Sequence, residues 1–134
     1  MKTIKIYTIV FAMMFFSTVS IYAQKPANFS NVVTENLIHS LNHNVDGVVE
    51  ASIYNTLFLS KYYPDANIEK VLNELNEIAI SSINPVLRYK AQLAVLYITN
   101  YSNEELRLED YKENQSDIFR MISSKLENSL LVSN

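Results

Sequence analysis

The chain contains no cysteine and no tryptophan, and only one glycine and three prolines among its 134 residues. Without cysteine there is no disulfide scaffold, no thiolate metal site, no cysteine nucleophile and no lipobox thiol for an acyl anchor. A single glycine, Gly47, excludes a glycine-rich phosphate loop and the Gly-x-Ser-x-Gly nucleophile elbow. β-rich folds need many turn residues and helical hairpins need few, so the shortage of Gly and Pro points to an all-α fold. Basic residues are also scarce, 11 against 14 acids, for a net charge of −3. An acidic balance of this kind offers no electrostatic footprint for nucleic acid.

The 49% of apolar residues is unevenly spread. Lys2 and Lys5 precede an apolar run over residues 6–21 broken only by Thr and Ser, and Ala23 supplies a small residue before Gln24, Lys25 and Pro26. This charged, apolar, small-residue order is that of a secretory signal peptide cut after Ala23. The run is about 16 residues long, short for a membrane span, which needs about 20. The expectation is an exported protein, periplasmic or secreted, touching a membrane only through this segment if it is retained. Residues 24–134 would form one helical domain with nine basic and fourteen acidic side chains, a net charge of −5. That length can bury a sufficient core without disulfides.

Helical spacing recurs along the domain. Val33, Leu37, Ile38 and Leu41 form a first stripe, with Ser30 as its expected cap. Asp46 is the expected cap of the next helix, whose face carries Val49, Ile53, Leu57 and Ser60, widened by Val48, Tyr54 and Phe58. Pro64 stops it, and Asp65 or Asn67 caps a third helix with apolar residues at Ile68, Val71, Leu72, Leu75, Ile78 and Ala79. Asn84 and Pro85 then open a fourth, with Leu87, Ala91, Ala94, Val95 and Ile98 as its stripe. Leu93, Leu96, Tyr97 and Tyr101 make that helix apolar nearly all round, which requires cover on two sides and a central place in the domain. After a polar stretch with a capping-box pattern from Ser102 to Glu105, a closing helix is expected over about residues 116–131.

Two of these helices align. At an offset of 38 residues Asp46 meets Asn84, Gly47 meets Pro85, Val49 meets Leu87, Ile53 meets Ala91 and Leu57 meets Val95. A second amphipathic helix lies between the two copies, so the repeating unit is a helix pair. Asn84, Pro85, Leu87, Arg88 and Ala91 stand where the first helix of a HEAT repeat prefers Asp, Pro, Val, Arg and Ala. The chain therefore resembles the HEAT-like (armadillo-type) repeats, and small exported bacterial proteins built from them, with units at about residues 46–83 and 84–131. The first copy departs from the pattern at Gly47, Glu50 and Ile53. The resemblance implies an α-α superhelix of antiparallel hairpins, about five helices in all, and an Arg88 side chain reaching Asp46 of the preceding unit. It carries over no catalytic residues.

Little in the sequence points to chemistry. His39 and His43 have the i, i+4 spacing of metal ligands, but Ser40 stands where the zincin pattern has Glu, and no third ligand is in view. Glu104–Glu105 and Glu109–Asp110 lie in a polar run that offers no desolvation to shift a carboxylate toward acid–base work. Tyrosine is the enriched side chain, and Tyr54, Tyr62, Tyr63, Tyr89, Tyr97 and Tyr101 all fall in or beside the repeat. Tyr combines contact area with a hydrogen-bonding tip, which suits a protein interface. The expected function is an interaction or scaffold module without catalytic activity or cofactor, monomeric or weakly dimeric, binding a protein partner. The rival is a periplasmic metal-binding protein or small enzyme using His39 and His43.

Overall fold

The computed structural model describes residues 28–101, 107 and 114–132. The leader at residues 1–23, the capping box at Ser102 to Glu105 and the acid pairs Glu104–Glu105 and Glu109–Asp110 lie outside the described residues. Among those described, every regular element is an α-helix: α1 (Phe29–Leu41), α2 (Asp46–Tyr62), α3 (Ile68–Ser81), α4 (Pro85–Tyr101) and α5 (Gln115–Val132).

The first four helices are joined by connections of three to five residues, which turn each helix back along its predecessor. Side chains fix the alternate helices in parallel. Glu35 of α1 and Asn42 just after its end bond Lys70 and Glu74 of α3 in the same order along both helices. Asp46 and Glu50 of α2 likewise bond Asn84 and Lys90 of α4. The result is two layers, α1 with α3 and α2 with α4, an arrangement compatible with helical hairpins. Helix α4 packs against α2, α3 and α5, the central position its apolar breadth requires. Its cover is incomplete: Val86, Tyr89 and Leu96 remain exposed.

Local chemistry accounts for most helix ends. Asn67 caps α3 by accepting the Lys70 N–H at 3.2 Å. The Asn84 side chain accepts the Val86 N–H at 2.9 Å, while its carbonyl accepts the Arg88 N–H, so Pro85 begins α4 where its missing donor costs nothing. Pro64 halts α2 at Tyr62, leaving Tyr63 at φ −129, ψ 72.

Three expectations are corrected. Asp46 lies inside the first turn of α2, because extended Val45 (φ −107, ψ 115) is the flanking residue whose carbonyl accepts the Val48 and Val49 N–H groups. Ser30 is likewise inside α1, and its carbonyl accepts the Thr34 hydroxyl. Arg88 turns back to the loop before its own helix and donates to the Ser82 carbonyl at 2.7 Å. The link across the 38-residue offset is made by Asn84, whose amide donates to the Asp46 carboxylate at 2.7 Å.

The core runs through all five helices, from Leu37 and Leu41 through Ile53, Leu57, Val71, Leu75 and Ala94 to Ile118 and Ile122. Ala91 and Ala94, both fully buried, are the small residues that let the neighbours of α4 come close.

Candidate interaction surface

The six tyrosines do not form one surface. Tyr54 and Tyr97 are 3% and 1% exposed, on the faces that carry Ile53 and Ala94, so they are core residues and cannot meet a partner. Tyr62 and Tyr89 are exposed, but one ends α2 and the other lies in the second turn of α4. With the two helices parallel, these rings sit roughly 18 Å apart along the layer at 1.5 Å per residue. Tyr89 also donates its hydroxyl to Ser123 of α5 at 2.9 Å. Tyr63 is half-buried against Phe29, with ring centroids 5.8 Å apart. Tyr101 ends α4.

What the tyrosine count does not reveal is a groove of about 370 Å³ between α1 and α2. Val33, Asn36, Leu37 and Ser40 form the α1 wall; Ser52, Asn55, Phe58 and Leu59 form the α2 wall, and Tyr63 closes one end. Among the described residues nothing charged lines it. Its floor is apolar, and its polar groups are neutral amides and hydroxyls. The Ser40 and Ser52 hydroxyls donate to the Asn36 and Val48 carbonyls, which leaves their oxygens as acceptors toward the groove. Among the described residues, a larger hollow beside Asp117, Arg120, Ser124 and Lys125 is lined by α5 alone. A signal for the groove was present in the sequence: α2 carries Ser52 and Asn55 beside Ile53 and Leu59, polar residues on a face otherwise fit for the core.

The two histidines do not converge on a site. His39 is exposed in the last turn of α1, and exposed His43 accepts the Val45 N–H on Nδ1 at 3.1 Å. Among the described residues no three His, Asp or Glu side chains are grouped to hold a metal ion, and no helix is long and apolar enough to cross a membrane.

Two buried polar groups stand out. Lys90 is held between Glu50 of α2, the Ser116 hydroxyl of α5 at 3.4 Å and the face of Phe119, 5.2 Å from its ring centroid. The Tyr97 hydroxyl has no hydrogen-bond partner among the described residues, and burial raises its pKa above the ordinary 10.0. An unpaired buried hydroxyl costs about 1–3 kcal/mol. Tyr97→Phe is therefore expected to leave stability unchanged or raise it by about 1 kcal/mol, read from urea unfolding. A raised phenol pKa favours the folded state while the hydroxyl keeps its proton and loses that advantage as pH rises past 10.0. The wild type should accordingly lose stability above that pH faster than Tyr97→Phe, and parallel alkaline curves would refute this.

Comparison with protein-family models, curated proteins and solved structures finds no match to this chain.

Proposed function

We propose that the chain is an exported, HEAT-like helical-repeat module that binds a protein partner in the groove between α1 and α2 and carries out no chemistry of its own. The observation that carries this reading is the groove itself, which is walled by two helices whose described lining residues are apolar or neutral polar and carry no charge. Such a trough suits the apolar face of a helix, which makes side-chain contacts along its length while the neutral Asn and Ser groups meet its polar edge. Charged side chains would have to be desolvated there, so the partner's inserted face is uncharged as well. The paired layers α1/α3 and α2/α4 support the repeat reading.

Asn55 is exposed on the groove wall, so Asn55→Arg places a charge in the trough with little effect on the fold. Residues 24–134 immobilised on resin should capture a discrete protein from cell-envelope extract. Asn55→Arg should lose about 2–4 kcal/mol of that affinity, as a hot-spot change does, with an unchanged far-ultraviolet helical spectrum. Capture indifferent to Asn55→Arg would remove the groove from the function.

A further inference from the structure

We propose that two copies of this chain pair weakly through an apolar patch at the end of the stack where α2 and α4 begin. Val45, Val48, Ile83 and Val86 form the patch, which shares no residue with the groove between α1 and α2, so the inference stands apart from the groove's function.

One hydrogen bond assembles the patch. The Asn84 amide donates to the Asp46 carboxylate at 2.7 Å and draws the first turns of α2 and α4 together. Val45 and Ile83 directly precede the bonded residues, and Val48 and Val86 follow them by two positions. All four side chains are exposed, Ile83 at 97%. Gly47 lies among them in open space: among the described residues, a Cβ added there would meet no atom within 4 Å. Together the four side chains offer on the order of 400 Å² of surface, within the range at which an apolar patch on a monomer often serves an interaction.

Size and charge select a second copy as the occupant. Two such patches face to face bury roughly 800–1,000 Å², short of the about 1,600 Å² of a stable complex and suited to a weak, transient pair. A two-fold interface must be self-complementary, with residue i touching j and j touching i. This patch meets that condition because it has two like halves: Val45 and Val48 on the α2 side recur 38 residues on as Ile83 and Val86 on the α4 side. A two-fold axis through the Asp46–Asn84 bond lays the α2 half of each copy on the α4 half of the other, apolar against apolar. The charges agree with this crossing. Asp46, in the α2 half, bonds a neutral amide, and Arg88, in the α4 half, donates to the Ser82 and Ile83 carbonyls. Among the described residues neither is in an ion pair, and crossing the halves brings the carboxylate of one copy toward the guanidinium of the other on both sides of the axis. An anionic lipid surface offers no such match, since its headgroups would meet Asp46 and Glu50.

The full chain, purified as the expressing cell processes it, is followed by sedimentation velocity from about 1 to 500 μM. The mean mass should rise toward twice that of the monomer, with a Kd on the order of 100 μM. Ile83→Glu alters a side chain that touches almost nothing in the monomer, so it should keep the helical spectrum and weaken pairing at least about tenfold. Gly47→Gln should do the same by filling the open space. Val32→Glu is the control: Val32 is also exposed, but it lies near the start of α1, at the opposite end of the stack, and pairing should be unchanged. The absence of cysteine allows the crossing to be tested as well. Val45→Cys and Ile83→Cys chains mixed in equal amounts and treated with a short bismaleimide should join to each other about tenfold more than to their own kind, as docking in that orientation requires. No rise in mass up to the highest concentration, pairing that persists in Ile83→Glu, pairing lost equally in Val32→Glu, or no excess of the mixed product would each overturn the proposal. So would binding to phosphatidylcholine–phosphatidylglycerol vesicles that Ile83→Glu abolishes in a chain that stays monomeric, since a lipid surface would then be the occupant.

Discussion

Leu93→Asp is expected to destabilise the domain by about 3–5 kcal/mol, a large share of the about 5–15 kcal/mol that a domain of this size has in all. Leu93 is 6% exposed in the central helix α4. The substitution removes an apolar side chain worth about 2 kcal/mol of burial and puts a carboxylate among apolar atoms without a partner. Leu93→Met, which keeps the volume, should cost less than about 1.5 kcal/mol and serves as the control. The sharper comparison is with Asn55 of α2, 38 residues earlier in the chain. Asn55 is exposed on the groove wall, so Asn55→Asp should stay within about 0.5 kcal/mol of the wild type. Urea unfolding followed by circular dichroism measures all three. Near-equal effects of Leu93→Asp and Asn55→Asp would mean that the two positions are equally covered.

The helices themselves were legible because their signals are local. Amphipathic spacing placed α3 over Ile68 to Ala79, and the structure ends it at Ser81. The Asn84–Pro85 start of α4 holds to the residue, and the closing helix expected over about 116–131 spans Gln115–Val132. Errors arose where a decision depended on a second element. Asp46 and Val45 compete for the end of α2, and extended Val45 supplies the carbonyl that starts the helix. Arg88 had two acceptors within reach in principle. The Ser82 carbonyl is only six residues away, so it is met at no cost in bridging two units, and Asn84 is left to bond Asp46. The apolar breadth of α4 overstated its cover: one helix can be surrounded only as far as it has neighbours, and Leu96 falls beyond them.

Function was less legible, because residue type does not say which way a side chain faces. The six tyrosines lie close together in sequence, yet Tyr54 follows Ile53 into the core and Tyr97 lies with Ala94. The groove leaves only a weak trace in the sequence: Ser52 and Asn55 where α4, 38 residues on, has Lys90 and Leu93. Lys90 itself could have been found. It falls three residues after Leu87 and directly before Ala91, on the buried stripe, and 40 residues after Glu50, which lies early in α2.

That lysine gives the second large effect. Glu50→Gln should destabilise the domain by about 2 kcal/mol, and Lys90→Met by less. Removing one partner of a buried ion pair costs about 3–5 kcal/mol when the survivor is stranded away from water. Here the two sides differ, since the Lys90 side chain is 9% exposed and that of Glu50 39%. Deleting the carboxylate leaves a buried ammonium with the Ser116 hydroxyl at 3.4 Å and the Phe119 ring face, hence a penalty somewhat below that range, because Glu50 itself is partly screened by water. Deleting the ammonium frees a carboxylate that water already reaches, and the methionine stem keeps the packing on Phe119. The double variant Glu50→Gln/Lys90→Met should therefore be more stable than Glu50→Gln alone, by about 1 kcal/mol or more, as the coupling in a double-mutant cycle. Salt should separate this pair from Glu35–Lys70, whose side chains are both more than half exposed and are screened at high ionic strength. Because Lys90 joins α2 to α4 and touches α5, the effect should also be local. Amide exchange in α5 should accelerate more in Glu50→Gln than in a core variant of equal total stability, since α5 packs chiefly on α4. If exchange rises uniformly, or if the cycle shows no coupling, Lys90 merely fills space and the ion pair does not hold α5 to the stack.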